Sequence, residues 1–165
     1  MEPAVRDHTD MGLLKELRLR FRPPRLHDPE FGPLLLMYIP RDPSKSYWEG
    51  EWLFPPTGTK IAIGLPGSIE NPDEAGRRFY LALPARFEEI VRRARPGLDR
   101  VFVQWMGRPL NSELWRDVKL AGFGIEDPVA VPARWDIAFE TVGQKWLGIT
   151  IPFIADEPQE PVVDT

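Results

Sequence analysis

The sequence predicts an α+β fold: an antiparallel sheet of about six strands with two or three helices packed on one face. Three observations carry that expectation. Large apolar residues recur at alternate positions over 47–54, 60–65 and 134–141, the period of strands with one buried face. Tight Pro/Gly turns divide the first strands, and short turns join antiparallel neighbours. Between the two groups of strands, residues 71–95 switch to the three-and-four spacing of a helix that buries one side.

The elements follow in chain order. Residues 1–10, "MEPAVRDHTD", lack apolar periodicity and read as a disordered extension, with Met11 an alternative start. Arg18, Arg20, Arg22 and Arg25 read as a solvated lead-in balancing an acidic body rather than as a nucleic-acid arm. Pro23, Pro24, Pro29 and Pro33 exclude a continuous helix there. "LLLMYI" (34–39) is a buried strand. Strand 47–54 follows, then the Pro55-Pro56-Thr57-Gly58 turn and strand 60–65, completing a three-stranded meander.

Asn71 as N-cap, Pro72 at the first helical position and Glu74 in the first turn open the long helix. Its buried stripe is read as Ala75, Phe79, Leu83, Phe87, Ile90 and Ala94, with a kink or break at Pro84 and an end at Pro96-Gly97. Val101-Phe102-Val103 has strand propensity. Leu98, Val101, Phe102 and Trp105 nevertheless fall at helical spacing, so 98–106 is expected to be helical. "SELWRDV" suggests a short third helix. Strands return at about 119–126, 134–141 and 146–154. Residues 11–154 make a single domain, and 155–165, "ADEPQEPVVDT", an acidic flexible tail.

Bulk properties exclude several classes. A net charge of −4 and a pI near 5.3 disfavour nonspecific nucleic-acid binding, which requires a basic surface. No stretch approaches 18 apolar residues, so no membrane partner is expected, and cytoplasmic residence is the default. With no cysteine, thiolate chemistry and zinc-thiolate sites are out. No phosphate-binding glycine loop or nucleophile elbow occurs, and no cofactor is expected. The two histidines are His8, in the extension, and His27, beside Asp28 and Glu30; exposure or a loop hydrogen bond outweighs metal binding at His27.

Alternation assigns the faces. Trp48, Trp52 and Phe54 point inward with Ile61, Ile63, Leu65, Trp135, Ile137 and Phe139. Tyr47, Glu49, Glu51, Asp136 and Glu140 point outward, joined by Trp146 from strand 146–154. Burying unpaired carboxylates costs several kcal/mol, so the acidic face is the wet one. These six residues are the candidate partner-binding set: aromatic anchors with a charged rim around small residues. An alternative is a small hydrolase or carbohydrate-active enzyme using Glu49 and Glu51, whose i, i+2 spacing is compatible with paired carboxylates. No residue is otherwise assigned a catalytic or metal-binding role.

The pattern D-P-x-F-G from Asp28, Y-W-E-G-x-x-x-F-x-P-T-G from Tyr47, and the closing "WDIAFE…LGITIPF" resemble small uncharacterised bacterial proteins. Those are similar to proteins encoded beside polymorphic or secreted toxins. The resemblance covers roughly residues 28–92 and 134–154. Pro84 departs from the uninterrupted helix it implies. It implies an immunity protein: a non-enzymatic binder that neutralises a cognate toxin by occluding it, and the net negative charge favours a basic one.

Overall fold

The structure is a computed structural model that describes residues 9–165. Residues 1–8, including His8 and most of the expected extension, lie outside the described residues. Thr9 and Asp10 already belong to a helix, α1 (Thr9–Phe21).

Nine strands form one sheet: β1 (Arg25–Asp28), β2 (Gly32–Met37), β3 (Tyr47–Phe54), β4 (Thr59–Pro66), β5 (Val118–Ile125), β6 (Arg134–Thr141), β7 (Gly148–Ile154), β8 (Glu157–Pro158) and β9 (Val162–Asp164). They lie in chain order from β1 to β8, and β9 also pairs with β7. Every pair is antiparallel except β4/β5, which meet in parallel with Ala62 opposite Gly122. The sheet is therefore two antiparallel meanders joined along one parallel seam. A parallel pair needs a crossover, and the chain makes it with α2 (Glu74–Val101).

The architecture is α+β, but with nine strands rather than about six and one main helix rather than two or three. The six alternating strands are present. The three others are edge pieces: four residues of β1 with three polar side chains, the Glu-Pro dipeptide of β8, and three residues of β9. Short, charged, proline-bearing strands are typical of sheet edges and leave little periodicity to read. "SELWRDV" forms only a 3-10 turn over Leu114–Arg116.

Helix α2 runs through both Pro84 and Pro96 without a break. Proline and glycine cost roughly 3 and 1 kcal/mol in a helix interior. Beyond Pro96-Gly97, however, Leu98, Val101 and Phe102 are buried, and each such burial gives back about 1.5–3 kcal/mol. The helical path continues as a π turn over Phe102–Met106 and ends at Gly107, whose φ of 67° is left-handed. The helical reading of 98–106 therefore holds. Near its start the buried face differs from the expected stripe: Gly76 and Tyr80 are buried, whereas Ala75 and Phe79 are half-buried. A Cβ at Gly76 would lie 3.2 Å from the Pro66 ring, so this first contact with β4 is a close one.

The segment expected to be a flexible tail folds back along β7 as β8 and β9. Its acids meet arginines spaced seven apart on α2: Arg86 pairs with Asp156, Arg93 with Glu157 at 3.5 Å, and Arg100 with Glu160 at 3.5 Å. A seven-residue step returns to nearly the same side of a helix, so one row of cations faces one run of anions. Pro161 completes the closure, 3.1 Å from where a Gly97 Cβ would sit.

The D-P-x-F-G stretch is a structural corner. Buried Asp28 accepts from the Glu30 and Phe31 amides at 2.9 and 3.1 Å and from Arg77 Nε of α2 at 2.8 Å. Burial acts to raise its carboxyl, but the Arg77 guanidinium and the two amides hold it below the usual carboxylate range. Phe31 then packs edge-on against Trp52 and Tyr80.

Tyr80 closes the seam. Its hydroxyl accepts from the Gly64 amide at 3.1 Å and donates to the Phe123 carbonyl at 2.7 Å. One phenol from the helix thus stands in for ladder bonds between β4 and β5 past the Ala62/Gly122 pair. Burial pushes this phenol up to about 12, opposed by the Gly64 amide and reinforced by the charge of Asp136. Its folded value lies above the ordinary one near 10. The stabilisation is therefore complete below about pH 10 and is lost as pH rises toward 12, because the unfolded chain releases its proton first. Tyr80→Phe leaves a buried amide and carbonyl unpaired and should lower stability by about 1–3 kcal/mol at neutral pH. In urea titrations the gap from wild type should narrow between about pH 10 and about pH 12. Equal stability at neutral pH would show that the hydroxyl does not hold the seam.

Candidate functional site

The core face of the sheet carries Trp48, Trp52, Phe54, Ile61, Ile63, Leu65, Ile137, Phe139, Ile149 and Ile151, all buried beneath α2. The opposite face is uncovered, and the six candidate residues lie on that side. Glu49 and Glu51 are exposed on β3, and Tyr47 is half-buried at its start. Asp136 and Glu140 are half-buried on β6. Trp146 precedes β7 rather than lying in it. It remains half-exposed, with its ring 3.3 Å from where a Gly148 Cβ would project. Thr141 fixes that turn, accepting from the Leu147 amide and donating to the Lys145 carbonyl, both at 2.7 Å.

The two acidic rows are not adjacent. Glu49 and Glu51 stand on β3, Asp136 and Glu140 on β6, with β4 and β5 between them. Three strand spacings separate the rows by about 14 Å. Between them the floor is Ala62 and Gly64 on β4, Gly124 on β5 and Ala138 on β6. The outcome is a shallow trough with carboxylate walls and a floor almost free of side chains. Lys60 and Lys119 close one end, paired with Glu51 at 3.4 Å and Glu140 at 2.8 Å. At the other end the Tyr47 ring lies over Gly64, 3.4 Å from its projected Cβ, and the Asp136 carboxylate lies over Gly124.

That end holds a hollow of about 310 Å³ lined by Ser44, Tyr47, Gly64, Tyr80, Gly124 and Glu126, among others. Burial pushes the Asp136 carboxyl above its ordinary range, the Gly124 amide opposes this, and the nearby Glu126 charge adds to it. Glu126, Gly64 and Gly124 are absent from the sequence-based set. Only the parallel register of β4 and β5 brings residues 64 and 124 together, and no local periodicity encodes it.

The remaining sequence candidates stand apart from this hollow. Glu49 and Glu51 are exposed on an open strand, and neither lines the hollow. His27 is exposed on β1. Among the described residues no group of His, Cys, Asp and Glu is placed to hold a metal ion, and no helix is long and apolar enough to cross a membrane. A larger hollow, about 780 Å³, lies on the helix side, where Pro56, Pro84, Phe87, Val91 and Trp115 meet.

The raised Asp136 carboxyl gives a signed prediction. A folded value above the ordinary one means that its ionised form costs stability, progressively as pH rises through the carboxylate range. Asp136→Asn should melt at the same temperature as wild type or higher at neutral pH. It should also lack part of the wild-type change in stability between acid and neutral pH. A lower melting temperature at neutral pH would mean that the Asp136 charge stabilises the fold.

No family model, curated protein or solved structure matches the chain.

Proposed function

We propose that this chain is a binding protein that acts without chemistry of its own, docking a basic protein partner on the open face of its sheet. The observation that supports this most is the trough: two carboxylate rows about 14 Å apart over a floor of glycine and alanine. Exposed aromatic and apolar side chains flank it, with Trp146 and Leu53 accessible and Tyr47 half-buried. Such a face offers anchors for burial and a field that attracts cations. The resemblance of the D-P-x-F-G and Y-W-E-G segments to immunity-type proteins supplies the finer reading: a cytoplasmic immunity protein that neutralises a cognate toxin by covering it. An interface of about 1,600 Å² suffices to occlude an active site.

Surface plasmon resonance against the product of the adjacent reading frame tests this. Glu49→Lys with Glu51→Lys should slow association, most at low salt where screening is least. Trp146→Ala should instead speed dissociation, because an aromatic anchor contributes through burial. Both variants should keep wild-type melting behaviour to within about 0.5 kcal/mol of stability. Wild-type rates for both variants would remove the open face as the docking site.

A further inference from the structure

Among the described residues, helix α1 has an apolar strip that no other part of the chain covers. Leu13, Leu14, Leu17 and Phe21 are 58%, 66%, 41% and 74% exposed. Among the described side chains of α1, only Leu19 packs against the core. At 3.6 residues per turn those four positions fall within about 100° of arc, with Arg20 bordering one side and Arg18 the other. Apolar strips of this kind on a surface helix mark contact sites. Residues 12–22 carry four cations against one anion, whereas the whole chain is −4, so the remainder is net −7. An acidic body of that sign disfavours an anionic membrane as the counterpart of α1.

The trough described above has the complementary form. Its acidic walls stand about 14 Å apart, and a helix with side chains is about 10–12 Å across. Its floor of Ala62, Gly64, Gly124 and Ala138 lets a helix approach the strands closely. An apolar strip laid on that floor places Arg18 and Arg20 toward opposite walls, one facing Glu49 and Glu51, the other Asp136 and Glu140. A parallel seam is ordinarily covered on both sides, and the β4/β5 seam has α2 on one side only.

We infer that α1 of one copy docks in the open-face trough of a second copy, reciprocally, giving a two-fold dimer. Each copy then supplies one helix and one trough, as a closed isologous interface requires. This rests on the reading that the open face is a docking surface, and adds that the chain covers its own trough when no partner is bound. A heterologous partner would have to displace α1.

Sedimentation velocity on the full chain gives the first test. A dimer is expected that weakens with rising salt. Arg18→Glu with Arg20→Glu should weaken it by about tenfold or more, as should Glu49→Lys with Glu51→Lys, since each sets like charges against one another. An equimolar mixture of these two variants should restore the dimer, because in the mixed pair reversed helix meets reversed trough in one contact and wild-type helix meets wild-type trough in the other. The chain has no cysteine, so Leu17→Cys and Ala62→Cys, made in separate chains and mixed, report contact directly through a short bismaleimide. The expected product is a cross-linked pair from the mixture. A wild-type monomer at all concentrations overturns the inference. So does a double variant, Leu17→Cys with Ala62→Cys, that cross-links only within one chain, since α1 would then cover its own trough. Partner binding by a chain that is monomeric throughout would overturn the dimer and leave the docking face standing.

Discussion

The structure depends on one hydroxyl. Tyr80 reaches from α2 to the seam between β4 and β5 and satisfies Gly64 on one side and Phe123 on the other. The two antiparallel meanders touch in sequence terms only through a long crossover, and they share a single parallel register position, Ala62 opposite Gly122. Close approach there is enforced by Gly122, whose projected Cβ would lie 2.7 Å from the Ala62 carbonyl. Past that point the strands rely on the phenol. Losing the phenol from this amide and carbonyl would destabilise the region by about 1–3 kcal/mol, so the helix side of the sheet and its seam stand or fall together.

The same seam shapes the opposite face. Gly64 and Gly124 sit where the strands diverge, and lacking side chains they leave a depression instead of a ridge. Tyr47 and Asp136 lean into it from β3 and β6. Asp136 is raised because it is partly enclosed there, beside Glu126. The field of the Asp136 charge reaches Tyr80 beyond the seam. The proposed docking surface is therefore not decoration on a finished sheet. Its floor runs along the seam, where Gly64 and Gly124 lie two residues beyond the Ala62/Gly122 pair.

Much of this is legible in the sequence, and what is not has specific causes. Alternation in "YWEGEWLF" and "RWDIAFET" fixes which side chains are buried, because a strand has a period of two and tryptophan and glutamate cannot exchange faces. The extent of α2 is not legible. Pro84, Pro96 and Gly97 are local stop signals, and tertiary burial of Leu98, Val101 and Phe102 overrides them. Tyr80 is missed because Phe79 beside it makes the more obvious apolar stripe, and only the distant Gly64 and Phe123 explain why the phenol goes inward. The C-terminal segment reads as flexible because prolines and acids dominate it. Arg86, Arg93 and Arg100 on one side of α2 are the visible counterpart, yet the pairing depends on where β7 ends. For the candidate site, strand faces are readable, whereas the spacing of the two acidic rows depends on strand order, which the sequence leaves open.

Amide hydrogen exchange at Gly64, followed by NMR, tests most directly whether the seam unites the two meanders. Gly64 lies near the end of β4, and its amide has the Tyr80 hydroxyl as partner. If the phenol holds the sheet as one body, this amide should exchange only through global unfolding, at the same free energy as the central amides of β4 and β6. Exchange at Gly64 through a local opening of much lower free energy, while the interiors of both meanders remain protected, would show that the halves part at the seam and would contradict the account.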